Sequence, residues 1–245
     1  MRCNVTLQNQ GGDVLFPFNY NHIITSMIYN NLVKTGIDLD FHDSKDFKFF
    51  TFSNIIFSKF EVTKEGFKSI DGLINFQISS PDSKLLRKII NGFIKNNQIT
   101  INGNEFTMTN IVMVKDPEFS NKMKFKTMSP IVVNSHKEIN GELKSWDLAP
   151  TDENFFPFIE RNLIKKYNQF FNEELSDDSI KVSSDMKNVK KKRVVIKRNK
   201  SQQHYVCYMM DITLDGDPKV IKFAYDCGLS NKNSMGFGMI KPVKK

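Results

Sequence analysis

Through Lys115 the chain alternates between two hydrophobic periods, and that order restricts the fold more than any other feature. "RCNVTLQN" (2–9) repeats every second residue, as a half-buried strand does. In "YNHIITSMIYNNLVK" (20–34), Ile24, Met27, Ile28 and Leu32 recur at helical spacing, with Asn21 as the expected cap. "FKFFTFSNIIFSKFEV" and "GFKSIDGLINFQIS" are dense in aromatic and β-branched residues and predict strands. "SPDSKLLRKIINGFIKN" places Ser80 as cap and Pro81 in the first turn. Leu85, Leu86, Ile89, Ile90 and Phe93 follow on one helical face. "QITI" and "EFTMTNIVMVK" end the half as strands. The resulting β-α-β-β-α-β order is the ferredoxin-like split motif, which RNA-recognition domains share.

The polar, proline-bearing stretch "KDPEFSNK" (115–122) is the best boundary, giving expected domains of 1–117 and 118–245. Beyond it the sequence predicts a strand in "KFKTMSPIVVN", a loop, and a helix in "ENFFPFIERNLIKKYNQFFNEEL". On that helix Phe155, Ile159, Leu163, Tyr167 and Phe170 or Phe171 share a face. "SIKVSS", "KKRVVIKR", "HYVCYMMDITL" and "KVIKFAYDCG" all read as strands, with "DGDP" a turn. On this reading the second half lacks its second helix. The fold class is therefore α+β, with tandem ferredoxin-like domains, the second a degraded copy of the first.

Composition narrows the function. Hydrophobic residues are 40% and charged residues 25% of 245, as in a globular chain, and 22 phenylalanines supply much of the expected core. No apolar run approaches the ~20 residues of a membrane helix, and the N-terminus lacks a signal-peptide centre, so a cytoplasmic location is expected. Cys3, Cys207 and Cys227 are few, odd in number and widely spaced, which predicts buried thiols. There is no C-x-x-C or H-E-x-x-H, so no zinc site or other cofactor is expected. A net charge of +8 favours a polyanionic partner.

Four features carry chemistry. Tyr29 falls on the side of the first helix away from its apolar stripe, near His22 and Ser26. His42 and Lys48, in "FHDSKDFKFFTFS" (41–53), lie in or beside the loop that leaves that helix; histidine, with an ordinary pKa of roughly 6.5, transfers protons near neutrality. "GLSNKNSMGFG" (228–238) carries Gly228, Lys232, Gly236 and Gly238, and glycine permits a close backbone approach to a ligand. Lys122, Lys124 and Lys126 occupy one face of a strand. The run "KNVKKKRVVIKRNK" (187–200) adds eight cations, among them Lys190, Lys191, Lys192 and Arg193. Such rows suit phosphates. Each feature also has an ordinary reading: a surface tyrosine, a solvated loop histidine, a long hairpin loop, a solvated basic face.

Together, "YNHIITSMIYN", "FHDSKDFKFFTFS", "MSPIVV" and "GLSNKNSMGFGMIKP" resemble the CRISPR-associated endoribonucleases that cut repeat RNA into guide RNAs, within the repeat-associated mysterious protein superfamily. The resemblance spans nearly the whole chain and implies tandem ferredoxin-like domains. It implies a catalytic trio at Tyr29, His42 and Lys48, and RNA contacts through the glycine-rich loop. The family loop often begins Gly-hydrophobic-Gly, whereas this one reads Gly228-Leu229-Ser230. A serine there predicts a different loop shape, because serine tolerates positive φ poorly.

The resemblance further implies metal-independent cleavage by the RNA's own 2′-hydroxyl, with CRISPR repeat RNA as the partner and no membrane. His42 serves proton transfer, Tyr29 assists the opposite proton and Lys48 offsets phosphorane charge. Tyrosine's ordinary pKa of about 10 favours His42 as base and Tyr29 as acid. Three rivals remain: a non-catalytic repeat-RNA-binding subunit of a CRISPR interference complex, a metal-dependent nuclease built on Asp38, Asp40 and Asp43, and a structural subunit binding acidic proteins.

Overall fold

The computed structural model describes residues 1–36, 47–198 and 201–243. Its first half is a sheet of β1 (Arg2–Asn9), β3 (Thr51–Phe52), β7 (Leu73–Ser79), β8 (Gln98–Ile101) and β9 (Asn104–Val114). The strands lie antiparallel in the order β3-β7-β1-β9-β8, with β4 (Ile56–Phe57) also on β7. Helices α1 (Asn21–Val33) and α2 (Ser83–Lys95) pack together, and Gly92 permits this: a Cβ there would stand 2.5 Å from the Asn31 carbonyl oxygen. A small outer sheet joins β2 (Val14–Pro17), β6 (Gly66–Ser69) and β5 (Phe60–Val62). Cys3, Val5 and Leu7 of β1 meet Ile74, Phe76 and Ile78 of β7 in the first core. The two-residue alternation read from the sequence is what puts them all on one face.

The helix starts are corrected by one or two residues. Asn21 does not cap α1; it is the first helical residue, and its buried amide bonds to a distant loop. At α2 the cap is Asp82, whose carboxylate accepts from the Lys84 and Leu85 amides, while Ser80 donates to the Phe49 carbonyl instead. Aspartate supplies the same hydrogen bond and an anion at the positive end of the helix.

The second half is built on β10 (Lys122–Thr127), α3 (Phe155–Phe171), β13 (Ile180–Ser183), β16 (Asp211–Gly216), α4 (Pro218–Cys227) and β17 (Ile240–Pro242), with antiparallel order β13-β16-β10-β17. The tandem ferredoxin-like architecture stands. The reading of the second copy as degraded does not: of residues 219–228, expected to be a strand, 219–227 lie in α4 and Gly228 caps its end. Asp217 caps it by accepting from the Lys219 amide at 2.7 Å, and Pro218 opens its first turn. A short apolar run has no decisive period, so the cap was the informative signal. Residues 128–150, expected as the end of a strand and a loop, contain a hairpin of β11 (Asn134–Ile139) and β12 (Glu142–Asp147). A second hairpin joins β14 (Lys190–Arg198) to β15 (Ser201–Met209).

Arg2 fastens the halves. Its guanidinium, 1% exposed, donates to the Ile240 carbonyl at 2.9 Å and the Tyr225 carbonyl at 2.7 Å, and lies 3.6 Å from the centre of the Tyr225 ring. The N-terminal amine pairs with Asp226 at 2.7 Å, and Lys222 bridges Asp226 to Asp116. The three cysteines are free and buried, and burial pushes the Cys3 and Cys207 thiols up to about 12. Among the described residues no helix is long and apolar enough to cross a membrane.

Candidate active site

The segment 47–52 runs between the two cores. Phe49 reaches the second, with its ring 5.0 Å from Phe170, while Phe50 and Phe52 are buried in the first. Lys48, half-buried, immediately precedes these anchors in the chain. Tyr29 meets the same segment: its ring stands edge-on to Phe50 at 5.8 Å. Tyr29 is therefore half-buried against the first core rather than turned away from it, because this segment packs over the flank of α1 that the helical wheel leaves polar. The fold thus brings Tyr29 and the chain at Lys48 to one junction. His42 lies outside the described residues, as do Asp38, Asp40 and Asp43.

The glycine-rich loop is locked into that junction. The Asn21 amide donates to the Met235 and Gly236 carbonyls at 3.1 and 3.2 Å, and Thr51 Oγ1 donates to the Phe237 carbonyl at 2.9 Å. From the second half, Lys166 on α3 donates to the Ser230 carbonyl at 2.6 Å and to the Asn233 side-chain oxygen. Burial pushes this ammonium down to about 8, and nearby Cys227 partly opposes that shift.

Gly228, Gly236 and Gly238 are buried, with φ of 88°, 78° and 78°. The space their missing Cβ atoms leave is filled by protein: the Asn233 side chain at 2.5 Å, the Phe52 ring at 2.3 Å and the Leu229 carbonyl carbon at 2.7 Å. These glycines shape the loop, whereas Asn231 and Lys232 lie in its half-exposed stretch.

Ser230 does not adopt positive φ. Its hydroxyl donates to the Val132 carbonyl at 2.9 Å and accepts from the Val132 amide at 3.1 Å, which pins the loop to the stretch before β11. The departure from Gly-hydrophobic-Gly replaces backbone freedom with a side-chain clamp.

Lys122, Lys124 and Lys126 lie on the exposed face of β10, as the alternation predicts. Two of them meet carboxylates, Lys122 with Asp215 at 2.6 Å and Lys124 with Asp185 at 3.6 Å. Lys190, Lys191, Lys192 and Arg193 are all exposed on β14, and the last two border a groove of about 560 Å³ that runs to Phe18 and Phe60 of the first half. The buried polar residues that assemble the junction, Asn21, Thr51, Lys166 and Ser230, were not singled out from sequence as its supports. A buried lysine within an otherwise apolar helical face was the one available hint.

A sequence profile described as "CRISPR-associated protein Cas6, N-terminal" matches residues 15–112, and one described as "CRISPR associated protein Cas6, C-terminal" matches residues 114–242. A Methanocaldococcus jannaschii protein named CRISPR-associated endoribonuclease Cas6 1 is 32% identical over 246 residues, covering 100% of this chain and 93% of the relative. A solved structure of a Cas6-related gene product from Pyrococcus furiosus superposes with a TM-score of 0.89 at 27% identity, covering 100% of this chain and 99% of the other. Another, described as a RAMP protein binding different RNA substrates, gives 0.86 at 26% identity with both chains fully covered.

Proposed function

The chain belongs to the Cas6 family of CRISPR-associated proteins, and from that premise we propose that it is an endoribonuclease that cuts CRISPR precursor RNA within its repeats. The observation that carries the reading is the meeting of Tyr29 with the segment of Lys48, against a loop fastened from both halves. The expected domains, 1–117 with the catalytic residues and 118–245 with the glycine-rich loop and basic surface, divide the work between chemistry and RNA placement. The reaction is placed in the cytoplasm.

The reaction needs no metal. The RNA 2′-oxygen attacks the adjacent phosphorus in line; the bond to the 5′-oxygen breaks. The 2′-hydroxyl proton passes to His42, and Tyr29 returns a proton to the departing 5′-oxygen. Lys48 offsets charge on the non-bridging oxygens. The products are a 2′,3′-cyclic phosphate and a 5′-hydroxyl. Lys190–Arg193, Lys122–Lys126 and Lys232 draw in the RNA backbone.

Single-turnover cleavage of a repeat RNA by excess protein tests the reading. His42→Ala and Tyr29→Phe are each expected to lose roughly 10²–10⁴-fold in rate while still binding RNA, the span of a general acid or base. Unchanged rates in both variants overturn the site. Tight binding without cutting by the wild type favours the non-catalytic repeat-RNA subunit of an interference complex.

A further inference from the structure

A cavity of about 520 Å³ opens beside the proposed site, and Phe47, the residue before Lys48, forms part of its wall. Its other walls come from the two hairpins, the glycine-rich loop and α3: among them Trp146 and Asp147 of β12, Asn134 and His136 of β11, His204 of β15, Lys232, and Asn162 of α3. That volume falls within the usual range for small-molecule sites. Trp146, the chain's one tryptophan, is 42% exposed, and His204 is exposed. The exposed part of that indole, at the wall of a polar cavity, offers a stacking surface to a flat ring.

The polar wall is specific. The Asn134 amide donates to Asp147, and the other Asp147 oxygen accepts from the Val206 amide at 2.5 Å, so one carboxylate fastens the first hairpin to the second. With its nitrogen committed to that carboxylate, Asn134 must present its oxygen on the other side. That oxygen is buried and has no hydrogen-bond partner among the described residues. A buried acceptor without a donor is unfavourable until a ligand N–H reaches it. A second cavity, of about 400 Å³, shares Asn134, His136, Asn162 and Asn231 with the first and adds Arg161 and Lys165, both exposed. The groove therefore offers a ring-stacking surface, an acceptor for a base edge, and cations for a phosphate.

We infer that this groove is a nucleotide subsite that takes one unpaired base of the RNA beside the cut, stacked on Trp146 with an N–H edge against Asn134 Oδ1. The inference rests on the RNA-cutting reading for the identity of its ligand. It adds base discrimination at a position set by the two hairpins rather than by the catalytic trio. Arg161 and Lys165 hold the adjoining phosphate.

The single tryptophan makes the subsite directly readable. Repeat RNA carrying a 2′-deoxy residue at the cut is titrated into the wild-type protein while Trp146 fluorescence and RNA binding are followed together. Quenching on binding is expected, and an abasic residue at one flanking position, scanned one at a time, should abolish the quench. Trp146→Ala should weaken binding about tenfold to a hundredfold, with Trp146→Phe recovering most of it. Binding without a change in fluorescence overturns the subsite. So does quenching that survives every abasic position or that heparin reproduces, or wild-type affinity in Trp146→Ala. Because this substrate is bound rather than cut, the readout is separate from catalysis. A positive result with no cleavage of unmodified repeat would retain the subsite and discard the endoribonuclease.

Discussion

The Lys166 ammonium donates to the carbonyl of Ser230 at 2.6 Å from a position only 3% exposed, so the helix of the second half holds the glycine-rich loop through a buried charge. The backbone carbonyl and the Asn233 side-chain oxygen satisfy the ammonium there, but neither carries a negative charge. Desolvation accordingly lowers its pKa from 10.5 to about 8.

This arrangement predicts a pH signature. Between about pH 8 and 10.5 the unfolded chain holds the Lys166 proton more tightly than the folded one, so stability gains with rising pH in that window. Below pH 8 both states are protonated and the full penalty applies; above 10.5 both are neutral and it vanishes. Relative to Lys166→Met, the wild type should gain roughly 3 kcal/mol across the window, at about 1.4 kcal/mol per unit. Urea midpoints of the two proteins at pH 7.5 and 10 measure it; parallel shifts would contradict the buried charge.

Ser230 gives a prediction opposite to the family pattern. Replacing it with glycine, the residue the Gly-hydrophobic-Gly pattern favours, removes both hydrogen bonds to Val132 and leaves its buried amide without that acceptor. Ser230→Gly should therefore destabilise by about 1–3 kcal/mol. An increase in melting temperature would show that backbone freedom matters more than the clamp.

At Gly236 two effects act together: a φ of 78°, and a Phe52 ring atom 2.3 Å from where a Cβ would stand. Left-handed backbone costs a side chain about 1–2 kcal/mol and overpacking about 1–3. Gly236→Ala should lower the melting temperature by roughly 5–15 °C. Phe52→Leu added to it should restore part of the loss, since only the steric share is relieved. Additive losses would place the strain elsewhere.

The basic rows should separate in a salt titration. Lys122 already bonds to Asp215 across the strands, whereas Lys192 and Arg193 lie exposed beside the groove between the halves. For single-stranded RNA each neutralised phosphate contributes about 0.7 to the salt slope. Replacing both Lys192 and Arg193 by alanine should reduce the slope by roughly 1.4, and Lys122→Ala by much less. Equal effects per charge would show that Lys122 exchanges Asp215 for phosphate as readily as the groove cations bind it.

Much of the fold was legible because period and residue type agreed. The alternation of Cys3, Val5 and Leu7 and the helical spacing of Leu85, Leu86, Ile89 and Phe93 each point to one face, and those faces are the core. The exception, α4, has an apolar run too short for its period to decide, so Asp217 and Pro218 carried the signal. The β11–β12 hairpin was missed because its exposed, polar strands bury little. Of the proposed site, Tyr29 and Lys48 are named by resemblance, while the residues that would support them are not. Asn21, Thr51, Lys166 and Ser230 act through contacts 64 to 215 residues apart in sequence, and no local pattern encodes such partners.

The most direct test of the central claim is cleavage of the repeat RNA in EDTA, with and without a single 2′-deoxy residue at the cut, followed by identification of the new ends. The account predicts one cut that persists in EDTA, leaves a 2′,3′-cyclic phosphate and a 5′-hydroxyl, and disappears with the 2′-deoxy substrate. Cleavage of the 2′-deoxy RNA, or a 5′-phosphate on the product, would contradict attack by the RNA's own hydroxyl and with it the roles given to His42, Tyr29 and Lys48.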